Sequence, residues 1–176
     1  MVRVTTPLLV VLAGPSGTGK TTLARALCRE LSAVHLRVDA VETASAPFLD
    51  GPVGALGYAV VHEVAAGNLA LGWHVVIDAV NPVPEARAAW ATTARRAQAD
   101  VVVLETSVPD EDEHRRRVEA RLPDMPGQAV PSWQDVARAG WVAWDEDRDG
   151  RRVRIDMTDA REGLAAAVRA CADASS

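Results

Sequence analysis

Residues 14–21 read Gly14-Pro15-Ser16-Gly17-Thr18-Gly19-Lys20-Thr21. This is G-x-x-x-x-G-K-[ST] in full, and its setting matters as much as its letters. Ahead of it lies the apolar run Leu8–Ala13. Behind it Leu23, Leu27 and Leu31 recur at four-residue spacing, as on one face of a helix. A glycine-rich turn between a strand and a helix lets backbone N–H groups curl around phosphate oxygens, and the helix N-terminus adds a favourable field. The stretch therefore predicts a nucleotide phosphate site built from Gly14, Ser16, Gly17, Thr18, Gly19, Lys20, Thr21 and Thr22. Lys20 would reach the β- and γ-phosphates of ATP, and the Thr21 hydroxyl would bind Mg²⁺. Lys20 is also the sole lysine of the chain; every other strong base is arginine.

Outward from that loop, four more apolar runs read as strands: His35–Val38, His74–Ile77, Val101–Glu105 and Val153–Ile155. Most are apolar without alternation, which suits strands buried on both faces of a parallel sheet. Helical patterns lie between them, at Tyr58–Leu71, at Pro84–Ala97 and around Leu164, Val168 and Cys171. Asp159 and Glu162 have capping-box spacing before the last helix, and Ser132 and Asp135 have it before another. Alternating strands and helices predict an α/β fold with a mostly parallel sheet. Sites in such sheets lie at the carboxyl ends of strands.

Two carboxylates sit at such ends. Asp78 closes Trp73-His-Val-Val-Ile-Asp78, where it would hold Mg²⁺ directly or through water. Asp39 closes Arg37-Val-Asp39, where it could accept the proton of an attacking hydroxyl. The segment from Asp110 to Pro131 breaks the strand–helix pattern. It is acidic, then carries Arg115, Arg116, Arg117 and Arg121, then three prolines and a glycine. Arg117 and Arg121 are four apart and share a helix face. That pairing, followed by a Pro/Gly loop, reads as a small lid over roughly 110–131 within one domain spanning 1–176. Its arginines would neutralise a transferring phosphoryl group. The expected catalytic set is Lys20, Asp39, Arg117 and Arg121.

These motifs resemble those of the small P-loop kinases that include bacterial polynucleotide kinase, gluconate-type kinases, zeta-toxin kinases and chloramphenicol phosphotransferase. The resemblance rests on Gly14–Thr21, the Val38-Asp39 strand end, Ile77-Asp78-Ala-Val-Asn81, and His114–Arg121; Pro131–Val136 adds a pattern found in related bacterial kinases. It implies a three-layer α/β/α fold with a five-stranded parallel sheet, ATP·Mg²⁺ as donor, a closing lid, Asp39 as the acceptor's base and lid arginines on the phosphates. Three departures narrow it. Adenylylsulfate kinases carry Asp-Gly-Asp where this chain has Val38-Asp39-Ala40. The glycine triplet of shikimate kinases and the long lid domain of adenylate kinases are absent.

The acceptor pocket is expected within Val41–Ala66, with Glu42, Phe48, Asp50, Tyr58, His62 and Glu63 on offer. Asp39, Tyr58, Asn81 and Arg87 are its predicted contacts, Arg87 either suggesting an anionic acceptor or pairing with Glu85 or another surface acid. No second histidine lies at ligand spacing from His62, so no zinc site is expected. Trp141 and Trp144 are three apart and are expected to pack together. The chain has 176 residues, 48% of them hydrophobic, a net charge of −5 and a pI of about 5.4. Mild acidity counts against a general nucleic-acid binder. Cys28 and Cys171 fall on helix faces and read as buried, reduced thiols. The run Pro7–Ala13 is too short to span a membrane and nothing resembles a signal peptide, so a cytoplasmic protein is expected. The functional expectation is an ATP-dependent phosphotransferase acting on a hydroxyl of a small molecule. The competing readings are a polynucleotide 5′-hydroxyl kinase, and a nucleotide-binding regulator without acceptor turnover. The absence of an N-K-x-D motif, which would need a second lysine, argues against a Ras-like GTPase.

Overall fold

A computed structural model describes residues 6–175. Five parallel strands form one sheet in the order β2-β3-β1-β4-β5. They are β1 (Leu8–Ala13), β2 (Val34–Arg37), β3 (Val75–Asp78), β4 (Asp100–Ser107) and β5 (Val153–Asp156). The helices are α1 (Lys20–Leu31), α2 (Val38–Ser45), α3 (Leu56–Ala70), α4 (Pro84–Arg96), α5 (Glu111–Glu119), α6 (Trp133–Arg138), α7 (Glu146–Asp149) and α8 (Ala160–Ala174). A 3₁₀ turn covers Ala46–Phe48.

β1 explains the layering. All six of its residues are buried, and successive side chains leave a strand on opposite faces. Leu8, Val10 and Leu12 join Leu23 and Leu27 of α1 and Ala167 and Cys171 of α8. Leu9 and Val11 join Val61, Ala65 and Leu69 of α3 and Trp90 of α4. Two apolar cores thus flank one sheet, and each fully buried Leu or Val contributes about 1.5–3 kcal/mol relative to exposure. Free Cys171 is buried in the first core, and free Cys28 is half-buried against it. Burial raises both thiols to about 11, which keeps them protonated and unreactive at neutral pH.

Helix ends follow the sequence signals. Ser132 and Asp135 make a reciprocal capping box at α6. Asp159 accepts from the N–H groups of Arg161 and Glu162 at α8. The second strand departs from expectation: it stops at Arg37, and Val38 already opens α2. Asp39 therefore sits in the first turn of a helix rather than at the tip of a strand. Trp141 and Trp144 also differ. Instead of forming a core pair, both stack on the guanidinium of Arg87, whose Cζ lies 5.0 and 4.6 Å from the two ring centroids. Among the described residues, no helix is long and apolar enough to cross a membrane.

Candidate active site

The strand order brings the chemistry together. β3 lies beside β1 with Leu12 opposite Asp78, and beside β2 with Arg37 opposite Asp78. The loop after β1 and the carboxylates after β2 and β3 consequently share one edge. There a cavity of about 380 Å³ is lined by Ser16, Gly17, Gly19, Lys20, Thr21 and Thr22, by Asp39 and Asp78, and by Arg25, Arg117, Arg121 and Asp124.

The loop is shaped by close approach. Gly14 has φ +130°, and a Cβ there would collide with the carbonyl oxygen of Thr106 on β4. No other residue meets both demands. The Thr18 hydroxyl lies 2.6 Å from that of Thr106 and 2.9 Å from the Pro15 carbonyl. Thr18 is thus buried under the loop and offers a ligand its backbone alone. Lys20 Nζ donates to the carbonyls of Gly14 and Pro15, both at 2.8 Å. Burial pulls its pKa down from 10.5 to about 8, against the opposing pull of Asp78 and Asp39. A phosphate placed in the loop would restore the charge.

Asp78 is nearly fully buried, yet its pKa is lowered. Desolvation pushes it up; His35, Lys20 and Thr21 outweigh that push. Its Oδ2 lies 3.4 Å from His35 Nε2 and 3.8 Å from Arg37 Nε, and these three buried atoms have no hydrogen-bond partner among the described residues. An orphaned carboxylate oxygen near the Thr21 hydroxyl fits Mg²⁺, a hard ion that keeps water and phosphate oxygens among its ligands. Among the described residues no group of three or more His, Cys, Asp or Glu could hold a metal unaided.

Asp39 faces the cavity, with Arg37 Nη2 3.2 Å from its carboxylate. Arg37 also donates to both oxygens of Asp124, at 3.0 and 2.9 Å, and Arg25 donates to Asp124 at 2.8 Å. Asp124 belongs to the Pro/Gly loop after α5, so this ion cluster ties that loop to β2 and α1. α5 is itself docked on the phosphate loop, with His114 Nε2 donating to the Ser16 carbonyl at 2.7 Å. His35, Arg37, Asp124 and His114 were not visible as site residues in the sequence. Only strand register and long-range folding place them here.

The two lid arginines part ways. Arg117 donates to Glu113 and to the carbonyls of Met157 and Thr158, at 2.8 and 3.1 Å, in the loop after β5. Arg121 has no side-chain hydrogen bond or ion pair among the described residues, and its charge is felt at Lys20.

Three predicted acceptor contacts do not line the cavity. Asn81 is fully buried; its Nδ2 donates to Leu12 and its Oδ1 accepts from Trp90, each at 2.8 Å. The Tyr58 hydroxyl accepts from the Asn81 N–H at 3.2 Å. Arg87 is buried, paired with Asp149 at 2.8 Å, and donates to the carbonyls of Asn81, Pro82 and Val142. Its donors are consumed by the scaffold, so the expected anion contact has no physical basis in this arrangement. Of the four predicted contacts, Asp39 alone lines the cavity.

The model of AAA_33, an AAA domain family, matches residues 9–139. A guanylate kinase of Novosphingobium aromaticivorans is 29% identical over 160 residues, covering 78% of this chain and 71% of that protein. A provisionally designated kinase of Chloroflexus aurantiacus superposes with TM-score 0.73 at 22% identity, over 94% of this chain and 98% of its own. Kti12 of Chaetomium thermophilum, in complex with ADP-AlF3, gives 0.68 at 17% identity over 93% and 98%. The Mycobacterium tuberculosis APS kinase CysC, in complex with AMPPNP and APS, gives 0.64 at 21% over 96% and 98%. At these identities the solved structures speak for the fold alone.

Proposed function

Because the chain belongs to the AAA_33 family of AAA domains and has the fold of the small P-loop kinases, we propose that it transfers the γ-phosphate of ATP to a hydroxyl of a small molecule. The observation carrying this reading is that Lys20, Thr21 and Asp78 share one cavity with Asp39 and Arg121. Nucleotide-loop residues alone would serve any nucleotide binder. A carboxylate facing them across the cleft is what an acceptor hydroxyl needs.

In the reaction the acceptor oxygen bonds to the γ-phosphorus while the bond from that phosphorus to the β–γ bridging oxygen breaks, and ADP leaves. The hydroxyl proton passes to the Asp39 carboxylate, which Arg37 holds in place. Such a base contributes typically about 10²–10⁴ in rate. Lys20 and the loop N–H groups hold the β- and γ-phosphates. Thr21 and Asp78 would hold Mg²⁺, which would offset the charge of the phosphates. Residues 110–131 act as the lid. Arg121 is its catalytic arginine, a role worth up to about 10³–10⁵ in well-characterised systems. Arg117 builds the wall of the nucleotide site with the loop after β5.

The guanylate kinase relative raises a nucleotide acceptor as a second reading. It needs cations around the acceptor phosphate, and Arg87 does not supply one. The test is ADP release from ATP·Mg²⁺ across pools of nucleosides, nucleotides, sugars, hydroxy acids, amino alcohols and 5′-hydroxyl oligonucleotides, with Lys20→Ala as blank. A pool raising release above the blank supports the reading. Tight ATP binding with no response in any pool contradicts it and favours a nucleotide-binding regulator.

A further inference from the structure

Beyond Asp39 the cleft opens into a second cavity of about 610 Å³, whose polar lining is Ser16, Asp39, Glu42, Thr43, Arg121 and Gln128. Asp39 and Glu42 are three apart on α2 and so share one face, with Cβ atoms about 5–6 Å apart. Every other carboxylate around the cleft has a cationic or ionisable base close by. Asp39 has Arg37, Asp124 has Arg25 and Arg37, and Asp78 has His35 and Arg37. Glu42 is different: among the described residues its carboxylate has no ion pair and no hydrogen bond.

Glu42 is nevertheless held in position. Its chain crosses α3 at Gly57, where a Cβ would come within 2.5 Å of Glu42 Cγ and 3.1 Å of Oε1. Gly57 is the second residue of α3, and its lack of a side chain makes room for Glu42. Burial, then Asp39, raises the Glu42 carboxyl above its usual range, a strain that a cation beside it would relieve. Among the described residues Arg121 is the one cationic side chain lining the cavity, and the phosphoryl group claims it.

Resting on the kinase reading above, we propose that Glu42 selects the acceptor: an alcohol bearing a protonated amine close to the reacting hydroxyl, as in amino sugars and amino alcohols. Glu42 takes the ammonium while Asp39 takes the hydroxyl proton. Carboxylate- and phosphate-bearing alcohols are repelled by the same pair.

The test uses matched triplets of sugars and linear alcohols that differ only in carrying an amine, a hydroxyl or a carboxylate. Each is assayed with ATP·Mg²⁺, and separately for binding to AMPPNP-loaded protein by ligand-detected NMR. The amine member should exceed its hydroxyl partner at least tenfold in kcat/KM. Glu42→Gln should shrink that ratio below twofold, and Glu42→Asp should keep most of it. A preference for neutral or carboxylate members, or an amine preference that survives Glu42→Gln, overturns the proposal. If no member is phosphorylated, the kinase reading is what fails, and binding decides Glu42 alone. Amine binding lost in Glu42→Gln then upholds its role as a cation site; no amine binding at all refutes it.

Discussion

The phosphate end of the cleft and its acceptor end are built by different means. At the phosphate end the donors are backbone N–H groups of one continuous loop, plus Lys20 and Thr21 from the same turn. Their geometry is set within eight residues and locked by Thr106 beneath Gly14. At the acceptor end the groups come from α2, from the loop after α5 and from the strand ends, and the ion cluster of Arg25, Arg37, Asp39 and Asp124 joins them. The first end would hold a phosphate whatever the acceptor. The second can change one side chain at a time, which is where a choice of substrate is cheapest to alter.

The largest expected effect tests the phosphate end. Lys20→Ala should lower kcat/KM for ATP by about 10³-fold, the scale for losing a preorganised charge at the transferring group. A loss under tenfold would mean the loop works through its backbone alone.

Next comes the scaffold beneath both ends. Arg87→Ala takes one of two arginine partners from the buried Asp149 carboxylate, which keeps Arg148. The loss of stability should therefore fall below about 3–5 kcal/mol, the cost of a buried pair broken outright. Urea unfolding should show it, with the folded fraction keeping its acceptor KM. A raised KM at unchanged stability would return Arg87 to the site.

The lid arginines sharpen the contrast further. Arg121→Ala should reduce kcat about 10²-fold or more. Arg117→Ala should chiefly raise the KM for ATP by several-fold, because its guanidinium is bonded to the Met157 and Thr158 carbonyls. Equal losses of kcat in both would erase the division of labour.

The smallest effect is a fraction of a proton. Lys20 titrates near 8 in the free protein, and bound phosphates raise it. Nucleotide binding should therefore take up protons at pH 8–9 and almost none at pH 6. Calorimetry in buffers of different ionisation enthalpy measures this, with Lys20→Ala removing it.

What the sequence could and could not reveal follows the same divide. Gly14–Thr21 was legible because its partners are adjacent residues, and the strands because parallel sheets bury continuous apolar runs. α2 was missed since Val38 opens it straight from the strand, with no turn residue to announce it. Arg87 misled because its partner, Asp149, lies 62 residues away and nothing local betrays the pairing. Asp124 reaches Arg37 across 87 residues, and Arg37 faces Asp78 only through the register of β2 on β3.

The central claim is that Asp39 serves an acceptor hydroxyl opposite an intact nucleotide site. The most direct measurement follows wild type and Asp39→Asn by ³¹P NMR with ATP·Mg²⁺ and the best acceptor, alongside calorimetric ATP affinity. The account predicts that wild type forms a phosphate ester and ADP in equal amounts. It predicts that Asp39→Asn binds ATP within about threefold of wild type while ester formation falls at least tenfold, toward the low end of general-base effects. Undiminished ester formation by Asp39→Asn would contradict it.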